Sequence, residues 1–137
     1  MIILDTSVWI EFLKNNQSFF PRISKLLESR EVLAVECVFG ELLQGIKTET
    51  EREIIIDYWT YLPKEYYVNI IIQAGEYSAR HKLIDRGVGL LDAIILMHGI
   101  ISSSKIWTLD NKFLKVIPEE LRYLENTKDG ISLNPLT

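Results

Sequence analysis

Short apolar runs alternate with longer helix-patterned segments along this chain, and that alternation restricts the fold more than any other feature. Ile2 to Leu4 is three apolar residues closed by an aspartate, too short for a helix and suited to a buried strand. Thr6 or Ser7 then offers an N-cap for a helix carrying Val8, Trp9, Phe12 and Leu13. Pro21 suits the first turn of a second helix through Arg22 to Glu28, Val32 to Val35 reads as a strand, and Phe39 to Ile46 as a helix. Two further helices are expected at Glu49 to Tyr61 and Asn69 to Arg86, the second ending at Gly87, where a left-handed cap costs little. Leu91 to Ser102 is apolar on nearly all faces, which predicts a buried helix; Lys105 to Leu109 reads as a strand, Asn111 opens a short helix, and Leu121 to Leu124 is a last strand. Strands separated by helices need crossover connections, so they pair in parallel and are covered on both faces. The fold class is α/β.

A chain of 137 residues has room for one sizeable core and little more, so residues 1–137 are expected to form a single domain. A flexible tail is expected over roughly the last ten residues. At 47% hydrophobic and 25% charged residues, without low-complexity runs or repeats, the composition is globular. The single cysteine, Cys37, has no intramolecular disulfide partner and no ligand cluster around it, which points to a small buried thiol in a reducing compartment. The apolar N-terminus lacks the basic start of a signal peptide, and Asp5 and Glu11 interrupt it. Val88 to Ile101 is too short to span a bilayer and contains Asp92 and His98. The expectation is a cytoplasmic protein with no membrane segment.

Chemistry is expected where acids meet apolar surroundings. In open parallel sheets, ligands bind beyond the carboxyl ends of the strands, and Asp5 and Asp110 fall at two such ends. Asp92 lies in GLLDAIILMHGII, where an unpaired charge is costly, and Glu41 lies in VFGELLQG. Each has a simpler reading: Asp5 and Asp92 as helix caps, Asp110 as a turn or cap, Glu41 as a solvated helical glutamate. Arg80, His81, Lys82 and Arg86 could approach some of these acids, whereas one divalent cation would serve all four.

The ordered set LDTSV, ELLQG, LLDAIIL and TLDNKF, running from residue 2 to about 117, resembles the PIN-domain nucleases, and within them the VapC toxins of toxin–antitoxin pairs. The resemblance implies a three-layer sandwich with a central, mostly parallel sheet flanked by helices. It implies that Asp5, Glu41, Asp92 and Asp110 form an acidic, metal-holding catalytic pocket supported by Thr6, Ser7 and Thr108. The activity implied is Mg2+- or Mn2+-dependent endonucleolytic hydrolysis of RNA. Such oxygen donors suit hard cations, which make water acidic enough to attack and stabilise the leaving oxygen. Relatives also form homodimers and are silenced by a small antitoxin of the VapB type that packs on an apolar groove. One departure is Lys112, at a position where many relatives carry an aspartate.

The formal charge of −4, from 15 basic and 19 acidic residues, has the wrong sign for phosphate attraction, yet the four pocket acids alone account for it. Candidate RNA contacts are Arg80, Lys82 and Arg86 on one helical stretch and Lys112 beside Asp110, although Glu76 and Asp85 could simply pair with the first group. Apolar residues crowd Ile54 to Ile56, Trp59, Tyr61 and Ile70 to Ile72, more than one small core needs, which suits a partner surface. The rival readings are a metal-independent ribonuclease using His81 and His98, an inactive PIN-like binding module, and an RNA-processing nuclease that is not a toxin.

Overall fold

The computed structural model describes residues 1–126, with 132 and 133; side chains are described up to residue 124. Two strands form the centre: β1 (Ile2–Leu4) pairs in parallel with β2 (Lys105–Trp107), with Ile3 opposite Ile106. Single parallel bridges extend this pair on both sides, from Ile2 to Val32, from Ala34 to Lys64 and from Ile106 to Arg122. Across the sheet the order is therefore residue 64, residues 32–34, β1, β2, residue 122, and every neighbour is parallel. From β1 the sheet grows to residues 32–34 and then 64 on one side before returning to add β2 and residue 122 on the other, so the β1–β2 junction is the switch point where such sheets leave a crevice.

Seven α-helices are described: α1 (Thr6–Leu13), α2 (Phe20–Glu28), α3 (Glu36–Gln44), α4 (Glu49–Tyr61), α5 (Ile70–His81), α6 (Leu90–Ser102) and α7 (Asn111–Val116). Successive strand residues face opposite ways, and Ile3, Leu4, Ile106 and Trp107 are all at most 1% exposed. Both faces of the sheet are thus covered, as a parallel sheet requires and as the expected α/β class has it. Helix α6 is buried continuously from Ala93 to Gly99. It can lie directly on the sheet because Gly99 has no side chain: a Cβ there would stand 2.6 Å from Ile106 Cδ1. Trp9, Phe12, Phe39 and Tyr58 join α1, α3 and α4 through edge-on and tilted ring contacts.

Three elements differ from expectation. The helix expected from Asn69 to Arg86 ends at His81: Lys82 is left-handed at φ 54°, a 3-10 turn spans Ile84–Arg86, and Gly87 is left-handed at φ 80°. The break lets Leu83 and Val88 reach the core, and the Leu83 amide caps the helix by donating to the Ser78 carbonyl at 3.0 Å. The strand expected at Val32 to Val35 is only two isolated bridges, and Arg122 alone bridges within Leu121 to Leu124. Beyond it, β3 (Glu125–Asn126) pairs antiparallel with β4 (Ser132–Leu133). Apart from those two residues, the flexible tail expected at the C-terminus lies outside the described residues.

Candidate active site

Asp5 sits where β1 ends, 4% exposed, and its carboxylate organises the switch point. It is itself the N-cap of α1, as the simpler reading of Asp5 has it, in place of Thr6 or Ser7: its Oδ1 accepts the Val8 amide at 3.1 Å and the Ser7 hydroxyl at 2.5 Å. The chain leaves β1 still extended at Asp5, which aims the side chain back over the first helical turn. Its Oδ2 accepts the hydroxyl of Thr108, a fully buried residue just beyond β2. Ser7 and Thr108 then tie the second strand end in place. The Leu109 amide donates to Ser7 Oγ at 3.1 Å and the Asp110 amide to Thr108 Oγ1 at 3.0 Å.

Asp110 is exposed and caps α7, its Oδ1 accepting the amides of Lys112 at 2.8 Å and Phe113 at 3.3 Å. The simpler reading of Asp110 as a cap is thus met through Oδ1, and among the described residues no donor reaches its other oxygen. Glu41, half-buried on α3, accepts the Thr6 hydroxyl at 2.6 Å, so Thr6 links α1 to that helix. Asp92 is half-buried in the first turn of α6, whose N-cap is Gly89. Among the described residues no donor reaches its carboxylate, so it is not the cap of its helix.

The four acids share one electrostatic neighbourhood. Burial, then the charges of Asp5, Asp110 and Glu41, push the Asp92 carboxyl from 3.8 up to about 6. Asp5 is also raised, by burial first and by Asp110 last, with the Ser7, Thr108 and Val8 donors pulling the other way. Cys37, which sequence reasoning left as a plain buried thiol, stands between Glu41 and Asp92. Its Sγ–H donates to the Leu91 carbonyl at 3.9 Å, and burial followed by those two carboxylates pushes the thiol up to about 12. Cys37 and Glu41 are one turn apart on α3, the spacing that puts both toward α6. A thiol held that firmly protonated is neither a nucleophile nor a soft metal ligand.

Among the described residues no basic side chain pairs with these four acids. Among the described residues the ion pairs are Lys14 with Glu11 and Arg52 with Glu49. Arg80, His81, Lys82 and Arg86, expected as possible counter-charges, make none with the four acids. His81 stacks on Tyr77, while His98 is buried in α6 against Tyr67, so the two histidines occupy separate surroundings and form no acid–base pair. Among the described residues, no three Asp, Glu, His or Cys side chains stand close enough to hold an ion directly. The donor set nonetheless fits a hard cation of the magnesium kind, which keeps several waters and takes only one or two carboxylates, the rest of its shell coming from substrate phosphate.

Residues 2–117 match the family described as PIN domain. The chain belongs to the PIN-domain family. Two curated relatives, each named Ribonuclease VapC32, come from Mycobacterium tuberculosis strains CDC 1551 / Oshkosh and ATCC 25618 / H37Rv. Each is 29% identical to this PIN domain over 115 residues, covering 82% of this chain and 86% of the relative. The matched range contains all four acids and their hydroxyl supports, and it ends at the close of α7.

Proposed function

We propose that this PIN domain is a divalent-metal-dependent endoribonuclease and the toxin of a VapBC-type pair. The observation that carries the reading is the raised Asp92 carboxyl. Burial first, then the charges of Asp5 at the end of β1, Asp110 beyond β2 and Glu41 on α3, push this half-buried aspartate up to about 6. Relatives named as ribonucleases over most of their length supply the substrate class.

One or two of Asp5, Glu41, Asp92 and Asp110 would hold the ion, Mg2+ or Mn2+, directly, with the others acting through its waters. When bound, it supplies Lewis acidity toward water and phosphate. The chain's own residues do the positioning. Ser7 and Thr108 lock Asp5 with both oxygens directed, and Thr6 fixes Glu41. The α7 cap fixes one oxygen of Asp110 and leaves the other uncommitted among the described residues. Carboxylates held in fixed orientations would keep a bound cation in place, without reorganisation, as negative charge develops on the phosphate.

A partner surface accompanies the site. A groove of about 430 Å³ lined by Ile10, Leu13, Leu42, Ile46, Ile54 and Ile55 runs between α1, α3 and α4 and includes Glu41. Its apolar length and its contact with one site acid support a small antitoxin whose segment fills the groove and reaches the acids. The exposed Val68, Ile71 and Ile72 around the start of α5 support a homodimer face. No described helix is long and apolar enough to cross a membrane. The test is incubation of purified protein with single-stranded RNA in magnesium, manganese and chelator, with co-purification of the product of any small adjacent gene.

A further inference from the structure

The acidic crevice has a basic border where α7 meets the turn before α6. Lys112, in the first turn of α7, does not fold back on its neighbour Asp110. Its stem lies across Gly87, so that a Cβ there would stand 2.7 Å from Lys112 Cδ and 3.4 Å from Nζ. Gly87 also has φ 80°, so the backbone favours glycine here, and an added Cβ would push the flexible lysine aside. Its bare surface is the channel that holds the lysine. Arg86, the residue before it, donates from Nη2 to the Lys115 carbonyl at 3.5 Å, and Arg122 donates to that same carbonyl at 3.3 Å and to the Ile117 carbonyl at 2.7 Å. The free carbonyls at the end of α7 thus gather guanidinium groups from two other parts of the chain.

Each of these cations keeps unused donors. A guanidinium has five N–H groups, of which Arg86 commits one and Arg122 two. Acids are available in Asp85, Glu119 and Glu120, yet none lies within ion-pair distance of the three. The border therefore combines charge without carboxylate partners among the described residues, side chains already ordered by backbone contacts, and a position between the elements carrying Asp92 and Asp110. A polyanion lying across the acid site meets here the charge that a chain of net −4 otherwise lacks.

We propose that Lys112 and Arg86, continued by Arg122, bind the RNA backbone next to the cleaved bond, with Gly87 as the positioning residue that keeps Lys112 in place. This rests on the ribonuclease reading above and names the surface by which that site takes its substrate. Because the ordering is built in, the contacts cost little side-chain entropy on binding.

The test is binding of a short, fluorescein-labelled single-stranded RNA by the full chain in chelator, followed by anisotropy over a range of KCl concentrations. Lys112→Met keeps the apolar stem and removes the charge, and Arg86→Gln removes the other. Each is expected to weaken binding about two- to fivefold and to flatten the log–log salt dependence by about 0.7. Gly87→Ala keeps every charge and should weaken binding in the same way by displacing Lys112. Lys25→Met, an exposed lysine on α2, should leave affinity unchanged. Circular dichroism melts confirm that each variant is folded. Wild-type affinity and salt slope in both Lys112→Met and Arg86→Gln would overturn the proposal. The same RNA with magnesium separates the two claims. Cleavage together with unaltered variant binding removes the basic border alone, whereas border-dependent binding without cleavage removes the ribonuclease reading alone.

Discussion

Replacing Asp92 with asparagine should stabilise the metal-free protein while ending its activity. The Asp92 carboxyl rises from 3.8 to about 6 on folding, through burial and three neighbouring acids. At neutral pH the folded chain must therefore hold an anion that the unfolded chain ionises more easily. One pH unit corresponds to about 1.4 kcal/mol, so the full cost is about 3 kcal/mol. Solvent screening at a half-exposed side chain reduces that to about 1–2 kcal/mol. The sign follows from proton counts: between the unfolded and folded values the folded state binds more protons, so stability falls as pH rises through that window and levels off above it. Asp92→Asn removes the penalty at nearly constant shape, and no hydrogen bond from a described residue is lost with it. In chelator at pH 7 the variant should melt about 3–8 °C above wild type. Near pH 4, where wild-type Asp92 is protonated when folded, the difference should close. Melts followed by circular dichroism at both pH values provide the check. A variant that melts at or below wild type at pH 7 in chelator would refute the electrostatic account, because Asp92 would then be a structural anchor.

Other outcomes follow from the same geometry. Magnesium at a hundredfold excess over its dissociation constant should stabilise wild type by about 2.7 kcal/mol, and Asp92→Asn should lose most of that gain in the same melts. Thr108→Val leaves Asp5 Oδ2 and the Asp110 amide without their partner in a fully buried place; urea titration should show a loss of about 1–3 kcal/mol. Glu41→Gln should reduce RNA cleavage at least about a hundredfold in a single-turnover assay while leaving the melting curve in chelator close to wild type. Gly99→Ala should cost about 1–3 kcal/mol by forcing α6 away from Ile106, also read by urea titration.

The acids were legible in the sequence because each is placed by a local rule that their order preserves. Asp5 and Asp110 end strand-like runs, and Asp92 interrupts an apolar helix whose buried stretch follows it directly. Their mutual influence was not legible, since it arises from long-range pairing of β1 with β2 and packing of α3 on α6. The cap of α1 was open among three residues: aspartate, threonine and serine stand in a row, all three are good caps, and only the strand's exit angle selects Asp5. The break after His81 was hidden because its left-handed residue is a lysine, whereas Gly87, which signals such a conformation, closes the next turn. Residues 32–35 and 121–124 have strand composition but too few ladder partners to make strands. Lys112 stands out in the sequence as a departure from the family pattern and as a candidate RNA contact beside Asp110; its contact with Gly87 joins positions distant in sequence and has no local signal.

The central claim is that acids from four elements act together as one metal-dependent site for RNA hydrolysis. Its most direct measurement is the rate of single-stranded RNA cleavage by purified wild type and Asp92→Asn, in magnesium, manganese and chelator. The account predicts cleavage by wild type with either metal, none in chelator, and none by Asp92→Asn under any condition although it is folded. Cleavage by wild type in chelator at its full magnesium rate, or by Asp92→Asn at the wild-type rate, would contradict it.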